Sequence, residues 1–488
     1  MARSYETVIG LEVHAQLKSD SKLFCSCSTA YGAEPNTHVC AVCLGLPGAL
    51  PVPNERAMEL AAIAGLALGC DVRSESRFDR KNYFYPDLAK GYQISQFQHP
   101  LNLGGQLTFQ VGDEQKTVHL TRIHVEEDAA KNLHGAGGGS ATVVDFNRAG
   151  TPLIEIVSEP ELRSSAEAEA YLRKLRDVLM FLGVNDGNLE EGSFRCDANV
   201  SVRPVGQDTL GTRTEIKNIN SFKFVRQAID FEVSRQIAVV EAGGRVTQET
   251  RGWNDVTGKT FSQRSKEEAH DYRYFPDPDL PPIVFGQARI EALRQAAPKL
   301  PEQLRAEWTS EWGLTPYDAD VLTGHPAIAA YFTAVSTALD AGAKEPRAEA
   351  GKRAANFIQA EVLRDVKTSG LDASFAVPPA AVVDLLQRVQ SGALTGKQGK
   401  QVFAEMVTSG EGAEAVIARL GVQAPISDTG ALEAEIRAII AANAGQHEQY
   451  KAGKTKVMGF FVGQVMRVTK GAADPAVVNA LLERLLQE

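Results

Sequence analysis

The sequence of 488 residues lacks a long hydrophobic run, which argues against a membrane-spanning helix. Its longest apolar segment, Leu60 to Cys70, falls far short of the roughly 20 residues that cross a bilayer. The opening residues, Met1 to Thr7, contain no apolar core of the kind that directs export. We therefore expect a cytoplasmic protein that does not act at membranes.

The motifs of several enzyme classes are also missing. There is no Walker-type phosphate loop, no glycine-rich kinase loop and no Rossmann fingerprint. Gly453-Lys454-Thr455 looks like the end of a phosphate loop, but Glu448 stands where that motif needs glycine. Neither a Gly-Gly-Ser-Ser-Gly-type amidase motif nor a plausible cysteine amidase triad is found. A reaction that consumes ammonia would therefore need another protein to supply it.

Cysteine is scarce, with six residues in the chain, but four of them are clustered as Cys25-x-Cys27 and Cys40-x-x-Cys43. Two pairs separated by a short loop have the spacing of a tetrahedral zinc site. Four unligated thiols are the alternative. Because four cysteines leave no open coordination position, we expect any bound zinc to be structural rather than catalytic.

The periodicity of the sequence changes along the chain, which predicts three domains. Residues 1–292 are rich in strand-like alternation, glycine and turn signals, with helices expected at Glu55 to Leu68, Ala166 to Phe181 and Ser221 to Glu241. Residues 293–408 have a helical period, and 409–488 form a smaller helical unit. The predicted fold class is α+β, with an antiparallel-sheet domain followed by an all-α domain and a small all-α tail.

Acidic residues and one histidine recur on strand-like segments of the first domain. Glu12 and His14 are two residues apart, so their side chains leave the strand on the same side. Glu127, Glu155 and Asp197 lie in similar contexts, and Glu155 interrupts an otherwise apolar stretch, where an uncompensated carboxylate is costly. Such a set suits Mg²⁺ and phosphoryl transfer. The alternative is the solvated face of an antiparallel sheet, which is polar in any case.

The run Phe78 to Asp87, with Lys90, Tyr92 and Gln93 after it, combines lysines, an aspartate and aromatic rings. This composition suits a polar passage or a nucleotide contact. An aromatic turn that packs against the edge of the core remains the alternative.

The tail is basic although the net charge of the chain is −10. Phosphate is the natural partner of a local basic patch, so we expect contact with RNA here. A solvated helix face is the alternative. The basic residues are Lys451, Lys454, Lys456, Arg467 and Lys470.

Long segments of the chain resemble the B subunit family of the aspartyl/glutamyl-tRNA(Asn/Gln) amidotransferase. The resemblance covers essentially the whole sequence. The matching segments are Val8-Ile-Gly-Leu-Glu-Val-His14, Val39-Cys-Ala-Val-Cys-Leu-Gly-Leu-Pro-Gly-Ala-Leu-Pro51, Phe78-Asp-Arg-Lys-Asn-Tyr-Phe-Tyr-Pro-Asp87, Arg148-Ala-Gly-Thr-Pro-Leu-Ile-Glu-Ile-Val-Ser-Glu-Pro160, Arg195-Cys-Asp-Ala-Asn-Val-Ser201, Asp271-Tyr-Arg-Tyr-Phe-Pro276, Gly459-Phe-Phe-Val-Gly-Gln-Val-Met466 and Thr469-Lys-Gly471.

The resemblance implies a fold and an activity. The first domain would be a cradle similar to the catalytic fold of glutamine synthetase and guanidino kinases. With ATP and Mg²⁺ it would phosphorylate the side-chain carboxylate of misacylated Asp-tRNA(Asn) or Glu-tRNA(Gln). An amidase A subunit would release ammonia from glutamine for the amidation, and a small C subunit would complete a heterotrimer.

The resemblance also implies roles for individual residues. Metal and phosphate positioning would fall to Glu12, His14, Glu127 and Glu155, with Asp197 and Glu215 nearby. The ammonia path would be lined by Lys81, Asp87 and Lys90. The cysteines vary within the family, so zinc would support structure rather than the shared chemistry.

Two rival interpretations follow from the same residues. An archaeal glutamyl-specific relative has a similar core but carries an inserted domain, for which residues 290–405 leave no room. A non-catalytic tRNA-binding scaffold would explain the tail, but would have no reason to gather carboxylates on strands.

Overall fold

The computed structural model describes residues 4–134, 142–265, 269–341, 346–422, 429–469, 473 and 475–488. The chain divides into two compact units, Met1–Pro301 and Glu302–Glu488. The expected further division at about residue 408 stays a prediction. The segment 134–140 contains four glycines, a composition typical of a connector between strands, and of this segment only His134 lies within the described residues.

The first unit is built on a large mixed sheet, and short strands and hairpins flank it. Its central strands follow the order β15-β14-β13-β12-β1-β11-β8-β5-β4-β16. The strands are β1 Tyr5–Gln16, β2 Asp71–Val72, β3 Glu75–Ser76, β4 Asp79–Asn82, β5 Tyr92–Ser95, β6 Asn102–Leu103, β7 Gln106–Val111, β8 Glu114–Glu127, β9 Lys131–His134, β10 Thr142–Asp145, β11 Pro152–Ser158, β12 Phe194–Pro204, β13 Thr214–Ile219, β14 Glu249–Asn254, β15 Lys259–Ser265, β16 Phe275–Pro276 and β17 Ile283–Val284.

The expectation of an antiparallel sheet was wrong at one position. Strand β14 runs parallel to β13, while the other pairs along this order are antiparallel. The connection between the two parallel strands contains a helix, as a parallel crossover requires. The sheet is therefore mixed.

The alternation of β1 separates a buried apolar face from a polar face. Ile9, Leu11 and Val13 belong to the core and are almost completely buried. That core includes residues of helices α1 Glu55–Ala67, α2 Ser165–Phe181, α3 Phe222–Glu241 and α4 Gln287–Ala296. Because these helices cover the apolar side of the sheet, the polar side is left for function.

Each of the first three helices begins at a residue that accepts a hydrogen bond from the first turn. Asn54 accepts from the Ala57 N–H, Ser164 from the Glu167 N–H and Ser221 from the Phe224 N–H. Such caps satisfy backbone donors that have no partner inside the helix. The helices start within one residue of the predicted positions.

The second unit is almost entirely helical, and a short hairpin of β18 Lys367–Ser369 and β19 Asp372–Ser374 interrupts it. The helix that begins at Arg347 ends at Phe357 and continues as a π-helical turn, Ile358–Val362. No helix among the described residues is long and apolar enough to span a membrane. The helices are α5 Pro301–Ser310, α6 Pro316–Leu322, α7 Pro326–Ala341, α8 Arg347–Phe357, α9 Pro379–Gln390, α10 Gly396–Ser409, α11 Ala413–Leu420, α12 Thr429–Ala442, α13 Ala444–Lys451, α14 Met458–Val468 and α15 Pro475–Leu485.

A buried carboxylate fastens α3 to the mixed end of the sheet. Glu232 is completely buried. Thr214 of β13 donates to it at 2.7 Å and Thr260 of β15 at 3.1 Å. Arg235 donates at 2.6 Å, and the Arg251 guanidinium lies 3.4 Å away. A buried charge is tolerated when it is paired and hydrogen-bonded in this way.

Replacement of Glu232 by Gln should lower the free energy of unfolding by about 3 kcal/mol at pH 7, because two guanidinium groups lose their buried partner. Burial alone would raise the pKa of Glu232, but hydrogen bonds from Arg235, Gln236 and Thr214 lower it. The ionised carboxylate therefore stabilises the fold above its unfolded pKa of about 4.3, and this stabilisation is lost as the pH falls through the lower folded value. Urea unfolding at several pH values should show the difference from wild type shrinking below about pH 4.

The matched control is Glu169→Gln, which removes a more exposed carboxylate that pairs with Arg173 at 2.8 Å. Its cost should stay within about 1 kcal/mol. Equal losses for the two variants would contradict the role assigned to Glu232.

Candidate functional site

The polar face of β1 forms one wall of a histidine and carboxylate cluster. His14 lies opposite Glu155 of β11, and Glu155 lies opposite His124 of β8. The His14 Nε2 is 3.3 Å from Glu155 Oε2 and 3.9 Å from Glu126 Oε1. His124 Nε2 lies 3.5 Å from Glu155 Oε2. Strand register thus brings distant residues to one point, and His14, Glu126 and Glu155 have the geometry to hold a metal ion.

The electrostatics of this cluster favour positive charge. Burial by itself lowers the pKa of His14, but the carboxylates of Glu155, Asp197 and Glu126 raise it to about 9. The pKa of Glu155 lies well below its ordinary value because the charges of His124 and His14 outweigh the effect of burial. The cluster therefore holds ionised acids that need cations beside them.

A second cluster follows along the sheet on β1, β12 and β13. It consists of Glu12, Asp197 and Glu215, whose nearest ligand atoms all lie within 4.8 Å of one another. Glu12 lies directly opposite Asp197. Lys217 donates to Asp197 at 2.5 Å, and Thr250 donates to Glu215 at 2.9 Å. An all-oxygen set of this kind matches the ligand preference of Mg²⁺.

The structure corrects the expected position of Glu127. Its carboxylate accepts hydrogen bonds from Lys90 and from the Ile94 N–H, not from the histidine cluster. Neighbouring residues of a strand point to opposite faces, so Glu126 takes the expected place beside His14. Sequence reasoning missed Glu126 and His124, although their spacing of two residues is the signal that could have identified them.

The three residues expected along an ammonia path do not form one cluster. Lys81 lines a cavity that also contains Glu12 and His14, and its Nζ lies 4.8 Å from the ring centre of Tyr272. Lys90 pairs with Glu127. Asp87 accepts a hydrogen bond from Asn132 at 3.2 Å, and burial raises its pKa.

Two cavities open on this face, of about 530 and about 560 Å³. The first is lined by Arg122 and Arg213 and by every member of the two carboxylate clusters except Asp197. The second contains Asp128, Arg148 and Arg195. Among the described residues, Arg122 and Arg213 take part in no ion pair. The residues that line both cavities are His14, Lys81, Glu126, Glu155 and Lys217.

The four clustered cysteines come together as their spacing predicts. Cys25, Cys27, Cys40 and Cys43 are free thiols whose sulfur atoms lie within 4.8 Å of one another. Hydrogen bonds from Cys25 and from the Cys40 N–H, with the charge of Lys22, lower the pKa of Cys43 to about 4. The thiolate is the form that binds metal, so the donor set fits zinc.

The basic residues of the tail lie on α13, α14 and the segment between them. Lys451, Lys454, Lys456 and Arg467 are exposed, and within the described part of the chain none of them belongs to an ion pair. Lys470 lies outside the described residues. The exposed charges remain available for an anionic partner.

Comparison with known proteins agrees with this geometry. Residues 7–291 match the model of the GatB/GatE catalytic domain family, and residues 341–486 match that of the GatB domain family. A protein of Geobacter sulfurreducens is 53% identical, with 99% of this chain and 100% of the relative covered. Its counterpart in Myxococcus xanthus is 52% identical, with 99% and 98% covered. Both relatives carry the name of the B subunit of aspartyl/glutamyl-tRNA(Asn/Gln) amidotransferase. The chain therefore belongs to the family of aspartyl/glutamyl-tRNA(Asn/Gln) amidotransferase B subunits.

Proposed function

We propose that this chain is the ATP-dependent ligase subunit of a tRNA amidotransferase, which converts misacylated Asp-tRNA(Asn), Glu-tRNA(Gln) or both into the amides. The observation that carries the proposal is the pair of metal-competent clusters on one face of the sheet. A passive tRNA scaffold would gain nothing from carboxylates whose burial is so costly.

The chemistry requires activation before amidation. The side-chain carboxylate of the aminoacyl group attacks the γ-phosphorus of ATP, and the bond from that phosphorus to the bridging oxygen breaks to release ADP. Ammonia then attacks the carbonyl carbon of the acyl phosphate. The bond from carbon to the phosphate oxygen breaks, inorganic phosphate leaves, and the nitrogen loses a proton to give the amide.

Two sets of residues would hold divalent cations in this reaction. The sets are His14, Glu126 and Glu155, and Glu12, Asp197 and Glu215, and their donor atoms fit Mg²⁺. A bound cation would supply positive charge that bridges nucleotide phosphates and offsets the charge of the transferred group.

Cationic side chains complete the cavity. Arg122 and Arg213 would bind the nucleotide phosphates, since their charges are not used by carboxylates of the described residues. Lys81 lies on the wall common to the two cavities. Its ammonium would therefore face both the transferred phosphoryl group and the aminoacyl carboxylate.

The partners follow from the missing amidase chemistry. An amidase A subunit would release ammonia from glutamine, and a small C subunit would complete the heterotrimer. Lys81, Asp87 and Lys90, with the buried Lys90–Glu127 pair, would line or border the ammonia path. The mixed sheet with its polar face would correspond to the cradle of glutamine synthetase and guanidino kinases. All of this fits a cytoplasmic translation enzyme.

Replacement of Glu155 by Gln should lower the rate of ATP-dependent amide formation by at least about 100-fold, because a metal-positioning carboxylate is lost. The assay uses the assembled complex, misacylated tRNA and ammonium chloride as nitrogen donor. Binding of tRNA should stay within about twofold, since the tail is unchanged.

The control is Glu6→Gln, which removes an acid from the same face of β1 where it pairs with Arg203. It should leave the rate close to wild type. Retained amide formation in Glu155→Gln would contradict the assignment of the site.

Simultaneous replacement of Lys451, Lys454 and Lys456 by Ala should weaken tRNA binding and flatten its salt dependence. The slope of log affinity against log salt should fall by about 2, because three phosphate contacts are removed. Filter binding at several salt concentrations measures this. An unchanged slope would place the RNA contact elsewhere.

Purified protein should contain about one zinc ion per chain, and Cys40→Ser should lose it because three thiolates remain. The melting temperature should fall together with the zinc content, since metal binding stabilises the loop that carries the cysteines. Elemental analysis and calorimetry measure the two effects. Cys70→Ser, at a buried thiol outside the cluster, should keep the zinc.

A further inference from the structure

The backbone is strained where the chain passes the cavity of about 530 Å³ that is lined by members of both carboxylate clusters. Arg273 has a φ of +44°, a left-handed conformation that residues other than glycine rarely adopt. It separates Tyr272 and Tyr274, and both tyrosines line the cavity. Such strain persists only where the surrounding structure enforces it.

The side chain of Asn82 enforces this conformation. Its Nδ2 donates to the Arg273 carbonyl at 2.8 Å and to the Tyr272 carbonyl at 3.2 Å. One amide nitrogen carries two hydrogens and can serve these two acceptors, which are closer to it than the Arg80 carbonyl at 3.4 Å. Asn82 itself is fixed on β4, which pairs with β16 directly after the strained turn. We call this pair of hydrogen bonds the Asn82 clamp.

The clamped turn completes an aromatic wall formed by Phe97, Tyr272 and Tyr274. The rings of Phe97 and Tyr274 stack at 4.1 Å with an interplanar angle of 7°. The edge of Tyr272 lies against Tyr274 at 6.1 Å. The Arg122 guanidinium lies over the Phe97 ring, 5.7 Å from its centre. All three rings line the same cavity, so together they form one side of it.

We propose that the Asn82 clamp is a positioning device, which holds the aromatic wall so that water is kept from the acyl phosphate. This inference rests on the proposed function and adds the means by which the intermediate is protected. The Nζ of half-buried Lys81 lies 4.8 Å from the ring centre of Tyr272, and Lys81 lines the cavity together with Glu126 and Glu155. A loosened wall would therefore admit water to the point where the acyl phosphate forms.

Water and ammonia compete for the same carbonyl carbon. Attack by ammonia gives amide, phosphate and a proton. Attack by water breaks the same bond between carbon and the phosphate oxygen, and returns the original carboxylate with phosphate. The second course consumes ATP without product, so the amount of ADP formed per amide formed measures how well water is excluded.

The test is Asn82→Ala in the complete complex, with ADP and amide measured in the same reaction. Wild type should form about one ADP per amide, and the variant about fivefold more, as expected when hydrogen bonds of ordinary strength are removed. Misfolded protein lowers both quantities equally and leaves the ratio unchanged. A variant ratio equal to that of wild type would overturn the inference.

A matched control removes another amide that bridges backbone carbonyls. Asn185 donates to the Gln16 and Ser193 carbonyls, both at 2.8 Å, outside the aromatic wall. Asn185→Ala should lower stability and keep the wild-type ratio. An equal rise in both variants would show that general loosening, not the clamp, admits water.

Two further variants separate the strained backbone from the clamp. Arg273→Gly should keep the wild-type ratio, because glycine adopts a positive φ without strain. Arg273→Val should raise it, because a β-branched residue resists this conformation. A higher ratio of ADP to amide in Arg273→Gly than in Arg273→Val would overturn the inference. Failure of wild type to form amide with ATP would instead contradict the proposed function itself.

Discussion

The register between β1 and its neighbours is the constraint on which the site depends. Glu12 lies opposite Asp197 of β12, and His14 lies opposite Glu155 of β11. Because side chains alternate along a strand, a shift of one residue would turn these acids into the core and bring Ile9 or Leu11 to the polar face. The burial of that apolar face therefore fixes the geometry of the polar face, and α1, α2 and α3 contribute to the candidate site although they lie on the other side.

Carboxylates held this closely need compensation whether or not substrate is present. Lys217 stabilises Asp197, and protonation of His14 stabilises Glu155. Burial lowers the pKa of Lys81, but nearby tyrosine and glutamate groups outweigh burial and keep it charged. These internal cations hold the acids in place, and a metal ion that displaces a proton would meet ligands already arranged. The free energy needed to hold these acids together comes from interactions elsewhere in the fold, such as the ion pairs of buried Glu232 with Arg235 and Arg251.

Strand parity within one segment could be predicted from the sequence, but pairing between segments could not. Glu12 and His14 were correctly placed on one face, and the four cysteines were correctly grouped, because both inferences use local spacing. Glu126 shares strand parity with His124, which is a local signal, but pairing with β11 decides that this face of β8, and not the face of Glu127, meets His14 and Glu155. The parallel pairing of β14 with β13 could not be predicted for the same reason, because it is a pairing between separate segments. The Asn82 clamp joins residues about 190 positions apart and is visible only in three dimensions.

Under the proposed function, the carboxylate clusters of the first unit and the basic residues of the tail would have separate roles. The net charge of −10 opposes general electrostatic adhesion of RNA to the chain. Under the proposed function, affinity for tRNA would come from a local group of cations, the exposed lysines of the tail. Because the tail binds the body of the tRNA under the proposed function, the first unit needs to recognise only the aminoacyl end. Its cavities can then be shaped for phosphoryl transfer and for the exclusion of water rather than for affinity.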